Sequence, residues 1–257
     1  MKGYTHRVGE TITTKEGYLA TIVAYTVSTD IEVIFNDEQN TKIKTRYEQF
    51  QKQNICNPNH RSVYGVGYMG VGKYGSTNLD GKKTKRYETW CNMMKRCYSE
   101  RYQQKRPTYV GCTVCEEWHN FQNFAKWYEE NYYEVDGEQM HLDKDILVKG
   151  NKVYSPESCV FVPKIINSLF TKRQRGRGEL PIGITLGKGA NKYIAYCNNS
   201  VLKKQVKLGR FPHIEEAFLR YKTYKENHIK EVANRYINKI PNNLYDAMMN
   251  YEVNIND

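Results

Sequence analysis

Apolar and polar residues alternate with period two between residues 8 and 50, most clearly in Gly17-Tyr18-Leu19-Ala20-Thr21-Ile22-Val23-Ala24-Tyr25 and in Ile31-Glu32-Val33-Ile34-Phe35. Alternation with β-branched residues, closed by Asn36-Asp37, predicts a small antiparallel β unit curled into a barrel-like module over residues 1–60. The stretch Gly65 to Gly75 holds five glycines in eleven residues. A phosphate-cradling loop needs a strand before it and a helix opening directly after it, and neither flanks this run, so residues 61–85 read as a flexible or bulged linker.

The period changes near Lys85. Tyr87, Trp90, Met93, Met94, Cys97 and Tyr98 recur at spacings of three and four and predict an amphipathic helix. A short β segment is expected at Tyr109–Val114. A second helix is expected from about Glu116, with Trp118, Phe121, Phe124, Ala125 and Tyr128 as its stripe. Three strands then follow, at Pro181–Thr185, Lys192–Cys197 and Lys204–Gly209, and a helix whose Ala217, Phe218, Tyr221 and Tyr224 cover the sheet. Helical pattern continues through Tyr236, breaks at Pro241 and ends in a short amphipathic piece. The fold class is therefore α+β, divided as a β unit (1–60), a linker (61–85), a central domain (86–170), a basic linker (171–180), a sheet-plus-helix domain (181–230) and a helical tail (231–257).

No apolar run of the 257 residues approaches the roughly 18 to 20 needed to span a bilayer, and Met1 to Glu10 lacks the apolar core of a secretion signal, so a cytoplasmic protein is expected. Seven cysteines, odd in number and scattered, read as reduced thiols. Cys112 and Cys115 have knuckle spacing, but Cys91 and Cys97 lie six apart on a helix and cannot both easily face one ion with them, so buried thiols are the favoured reading over zinc.

Charge changes the picture more. The formal net charge is +11, and Thr171 to Arg210 alone carries ten Lys or Arg against the single acid Glu179. Upstream, Glu116 to Asp145 holds nine acids against two bases. A concentrated cationic region on a sheet-plus-helix unit points to duplex DNA as the partner. The acidic stretch suggests either a metal pocket or a surface complementary to the basic one.

Candidate chemistry centres on residues 141–167. His141, Asp143 and Asp145 alternate along a strand. A polar loop at Lys149–Lys152, a second strand within Tyr154–Pro163 and a helix bearing Asn167 follow. Oxygen and nitrogen ligands on one strand face, with an amide from a crossing helix, suit a hard divalent cation. The arrangement resembles the HNH endonuclease family, in which a strand-borne Asp-His pair, a loop and a helix Asn or His form a ββα metal unit. Asp143-Lys144-Asp145 occupies the place of the pair, and Pro156-Glu157-Ser158-Cys159 stands where that family often has Pro-Glu-Asn-Leu.

The resemblance implies Mg²⁺ or another divalent cation held by Asp143, Asp145 and Asn167, and catalysis of phosphodiester cleavage in duplex DNA by Asp143, Asp145, Lys144 and His141. Lys144 or Asp145 stands where the family's general-base histidine would be, and His141 falls two residues early. Either metal-bound hydroxide attacks, or the centre has lost activity and the chain is a DNA-binding regulator or accessory factor. Solvated charges beside a turn are the plain alternative.

Residues 60–230 as a whole, with Tyr87-Glu88-Thr89-Trp90 and Cys115-Glu116-Glu117-Trp118, look like phage-encoded HNH-type proteins with an appended DNA-binding domain. That likeness implies a phage or mobile-element origin and a host bacterial cytoplasm. Gly183-Ile184, Lys192-Tyr193-Ile194-Ala195, Leu208-Gly209-Arg210-Phe211 and Glu215-Glu216-Ala217 resemble the DNA-binding domain of plant ethylene-response factors. By that resemblance the sheet enters the major groove. Lys188, Lys192, Tyr193, Lys203, Lys204, Lys207 and Arg210 then contact DNA from the sheet, and Arg173, Arg175 and Arg177 contact it from the linker. The tail is a candidate surface for a homodimer, and the β unit with the acidic middle one for a host protein.

Overall fold

A computed structural model describes residues 7–171, 178–188 and 192–257. The chain divides into two compact units, Met1–Glu130 and Asn131–Asp257. This division does not coincide with the expected domain limits at 86 and 170.

In the first unit, β1 (Thr11–Thr13), β2 (Leu19–Val27), β3 (Asp30–Phe35) and β4 (Lys42–Thr45) form an antiparallel sheet in sequence order, followed by helix α1 (Tyr47–Gln51). The alternation places Ala20, Ile22, Ile31, Val33 and Phe35 on one face, where Phe50 and Ile55 cover them. The sheet is not the closed barrel the pattern suggested. Closure needs the first and last strands to pair over a useful length. β1 has three residues and β4 has four, and two register shifts bend β2 at Ile22/Ala24 and Tyr25/Val27.

The glycine-rich run is packed. Tyr68 N–H donates to His119 O and Phe121 N–H to Tyr68 O, both at 2.9 Å, while Gln122 Nε2 donates to Met69 O and Tyr74 O, both at 3.1 Å. A Cβ on Gly67 would stand 2.8 Å from the Trp90 ring, so glycine is required here by close approach.

Helix α2 (Lys85–Tyr98) begins where Thr84 Oγ1 accepts Tyr87 N–H, and it buries Trp90, Met93, Met94 and Cys97 as its periodicity demanded. After α3 (Glu100–Lys105), the expected strand at Tyr109–Val114 shrinks to β5 (Thr113–Val114), because Pro107–Tyr109 forms a 3₁₀ turn. The helix expected from Glu116 is split into a 3₁₀ turn (Glu116–His119) and α4 (Phe121–Asn131). At the break, Trp118 O accepts Trp90 Nε1–H at 2.7 Å and Asn120 Oδ1 accepts Gln122 N–H at 2.9 Å, so side chains take the groups a continuous helix would have used.

The second unit begins with the hairpin-like pair β6 (Met140–Asp143) and β8 (Val160–Pro163), antiparallel with Asp143 opposite Val160, and with short β7 (Val153–Tyr154) between them in sequence. α5 (Lys164–Leu169) follows directly. β9 (Ile184–Leu186), β10 (Tyr193–Asn199) and β11 (Lys204–Phe211) form an antiparallel sheet in the order β11-β10-β9. α6 (Ile214–Arg235) and α7 (Asn242–Met249) complete the unit.

α6 serves two cores. Its first half lays Ala217, Phe218 and Tyr221 on Ile184, Ala195 and Cys197, and its second half packs Ile229, Val232 and Ala233 with Val160 and Val162 of the hairpin and Ile166 of α5. α7 inserts Leu244 and Met248 into that second core. The tail at 231–257 thus shares a core with the hairpin.

Candidate functional site

Helix α6 covers one face of the β9–β10–β11 sheet and leaves the other uncovered by the helix. The covered face holds Tyr193, Ala195 and Cys197 from β10, because these pack with Ala217, Phe218 and Tyr221. Strand alternation then sends Ile194, Tyr196 and Asn198 outward. Their register partners on β11 are Arg210, Lys207 and Gln205, and Thr185 of β9 lies opposite Ile194.

Lys207 and Arg210 are three apart, so an unbroken strand would put them on opposite faces. A register shift at Ala195/Tyr196 leaves Leu208 as the extra residue, and both cations emerge on the outer face, both exposed. Lys192 directly precedes β10 with the parity of Ile194 and Tyr196 and is exposed.

The remaining predicted contacts fall elsewhere. Tyr193 belongs to the covered face and is half-buried against the helix. This differs from the expected DNA contact, since the aromatic residue is used as core. Lys204 pairs with Asn199, in the row of the covered face, and Lys203 sits in the turn with φ of 51°. Lys188 is exposed beyond β9. Arg173, Arg175 and Arg177 lie outside the described residues.

Tyr196, Asn198, Gln205 and Thr185 were not singled out from sequence; the parity of Tyr196 and Asn198 with Ile194 was a usable signal, whereas Gln205 and Thr185 are placed by the register of β11 and β9 against β10. The sheet is held to α6 by Gly183. Its φ is +80°, and a Cβ there would lie 2.2 Å from the Tyr221 ring.

The carboxylate centre differs more from expectation. β6 ends at Asp143, so Asp145 lies in the turn and does not continue a shared strand face with His141 and Asp143. The chain bends because Asp143 Oδ1 accepts the N–H groups of Asp145 and Ile146, both at 2.9 Å. Lys144 is only 7% exposed. Its Nζ donates to Asn151 O at 2.7 Å, sits 3.2 Å from Asp145 Oδ2, and lies 5.8 Å from the centre of the Tyr154 ring.

Burial, and secondarily the Asp145 carboxylate, pushes the Asp143 carboxyl up to about 6. His141 is half-buried on β6 opposite Val162. Asn167 is half-buried on α5, and no hydrogen bond links it to Asp143 or Asp145 among the described residues.

In this arrangement both carboxylates already have partners. One oxygen of Asp143 is committed to two backbone donors, the Asp145 carboxylate already faces an ammonium, and no group of three His, Cys, Asp or Glu converges on an ion position among the described residues. Cys97 and Cys112 are buried, Cys91 and Cys115 are half-buried, and none of the four is in a disulfide.

Comparison with family models, curated proteins and solved structures gave no match. Among the described residues no helix is long and apolar enough to cross a membrane.

Proposed function

We propose that the chain binds duplex DNA through the outer face of the β9–β10–β11 sheet. The observation that carries this reading is the bulge at Leu208, which aligns Lys207 and Arg210 on one face beside the polar side chains of Thr185, Tyr196, Asn198 and Gln205. Strands spaced about 4.8 Å apart make a three-stranded sheet about 10 Å wide, which fits a major groove about 12 Å wide. Cations of this kind hold phosphates, and amide and hydroxyl side chains suit base edges. The hairpin at 140–169 acts in this reading as a support that fixes α6 beneath the sheet, which corresponds to a DNA-binding regulator or accessory factor.

A second reading, divalent-metal-dependent cleavage, is favoured by one observation, the adjacent Asp143 and Asp145 carboxylates at the mouth of a ββα hairpin. One experiment separates the two. Purified protein is titrated into a fluorescent duplex, and supercoiled plasmid is incubated with the protein and Mg²⁺ or Mn²⁺, with and without EDTA. Salt-sensitive binding with intact plasmid is expected. Metal-dependent nicking abolished by Asp143→Ala with Asp145→Ala would establish cleavage, and failure to bind the duplex at low salt would remove the first reading.

A further inference from the structure

The buried stripe of α6 runs through Ala217, Phe218, Tyr221, His228, Ile229 and Val232, and Lys225 falls on it, four residues after Tyr221 and three before His228. A lysine on the sheet-facing stripe is unusual, because an ammonium loses hydration there and normally finds a carboxylate. Lys225 has no ion pair or hydrogen bond among the described residues. It is set against Cys197, and burial lowers its affinity for the proton.

Lys225 opens onto a cavity of about 1100 Å³. The cavity lies where β9 stops short. β9 pairs with β10 only over Tyr193 to Ala195, and the edge of β10 from Tyr196 onward is left without a strand beyond the Gly183 contact. Lys203 and Lys204 reach the same space from the β10–β11 turn, and neither has a salt bridge among the described residues. Among the described residues the lining contains no Asp or Glu. Lys203, Lys204 and Lys225 thus line one cavity to which no described acidic residue contributes.

The rest of the lining is mixed. Leu169, Leu180, Ile182 and Ile184 supply an apolar part, and the Tyr196 ring an aromatic one. An inorganic anion alone would leave most of the volume unfilled, since sites for small organic ligands measure about 300–1000 Å³. The chemistry that matches is an anionic head on a flat, partly apolar body.

We propose that this cavity binds a nucleoside phosphate, with the phosphate on Lys225, Lys203 and Lys204 and the base against the apolar residues and Tyr196. The ligand is either a free mononucleotide or the phosphorylated end of a nucleic-acid strand. The site adjoins the outer face and shares Thr185, Tyr196, Asn198 and Gln205 with it, while Lys225 comes from the helix on the covered side and Lys207 and Arg210 are not part of the lining.

The test is calorimetric titration of the full chain with dAMP, deoxyadenosine, inorganic phosphate, and a short single strand with and without a 5′-phosphate. Saturable binding of dAMP, weaker binding of phosphate and none of deoxyadenosine are expected. Lys225→Met, which keeps the length of the side chain on an apolar stripe, should weaken dAMP about tenfold or more by removing one charge-assisted contact. Lys203→Ser with Lys204→Ser, both at exposed positions, guards against a folding defect in the first variant and should weaken dAMP likewise.

Duplex affinity should be unchanged in Lys225→Met, whereas Lys207→Ala with Arg210→Ala should lose duplex affinity and keep dAMP. Binding of the 5′-phosphorylated strand alone would assign the site to strand ends. The proposal is overturned if no probe binds, if deoxyadenosine binds as well as dAMP, or if neither set of lysine variants changes the affinity.

Discussion

Replacing Lys207 and Arg210 together by alanine tests the sheet face quantitatively. Each phosphate neutralised on duplex DNA contributes about −0.9 to the slope of log affinity against log salt. With Lys192, Lys207 and Arg210 each on one phosphate, the face contributes about −2.7, and the double variant retains about −0.9 of it. The difference of about 1.8 is independent of contacts made elsewhere on the chain. Between about 50 and 200 mM salt, a fourfold change, it means that the native protein loses about twelvefold more affinity than the variant.

The assay is fluorescence anisotropy with one labelled duplex over that salt range. Lys230→Ala with Lys239→Ala is the control, since both lysines are exposed and the net charge changes equally. An unchanged slope in Lys207→Ala with Arg210→Ala, or an equal loss in the control, would refute the placement of DNA on this face. The bulge at Leu208 would then be a feature of sheet geometry alone.

The other predictions concern stability. Gly183→Ala forces a non-glycine residue to φ of +80° and drives a methyl into Tyr221, so about 1–2 kcal/mol of backbone strain adds to about 1–3 of overpacking; urea unfolding followed on the second unit should show a loss within the summed range. Trp90→Phe leaves Trp118 O without its donor and should cost about 1–3 kcal/mol in the first unit, measured the same way. Asp143→Asn keeps an oxygen for the Asp145 and Ile146 N–H groups but removes a charge that burial disfavours, and should stabilise the protein at neutral pH by about 1.4 kcal/mol for each unit by which the carboxyl is raised.

His228 is 3% exposed, its Nε2 accepts Ser200 N–H at 3.0 Å, Nδ1 faces Glu231 at 3.2 Å, and burial lowers its pKa. Protonation therefore favours the unfolded chain: this contribution is complete above about pH 6.5 and is lost as the pH falls through that value. Asp143 works in the opposite sense, its contribution being present below about pH 3.9 and lost as the pH rises through about 6. Denaturation midpoints across pH 4–8 for His228→Gln and Asp143→Asn should each remove one of these slopes.

The elements readable from sequence are those whose periodicity agreed with their packing. α2 buries Trp90, Met93, Met94 and Cys97 as spaced, and the strands around Ile22, Val33, Ala195 and Cys197 keep their alternation. What failed to show was decided by long-range or polar contacts. The break at Asn120 depends on Trp90 reaching Trp118 O from 28 residues away. The packed glycine run depends on Gln122, and the shared core of hairpin and tail on apolar residues some 80 positions apart, such as Val162 and Leu244.

The cationic block was visible as composition, but its sorting was not. The single extra residue at Leu208 determines that Lys207 and Arg210 share a face while Tyr193 turns inward. Lys225 carried a signal that could have been used, a charged residue at a stripe position of an otherwise apolar helical pattern.

The hairpin is held by apolar packing and by polar closure of its loop. Its ββα order is stabilised by Val160, Val162, Ile166 and Leu169 packed with α6 and α7. The loop is closed by Asn151, whose Nδ2 donates to Lys144 O and Val153 O, and by Lys144, whose ammonium bridges Asn151 O and Asp145. A cation entering between Asp143 and Asp145 would meet that ammonium, and like charges repel. It would also have to draw Asp143 Oδ1 away from two backbone donors that define the turn. The lysine therefore neutralises Asp145 and closes the loop, and with the apolar packing it fixes the hairpin that supports α6 beneath the sheet.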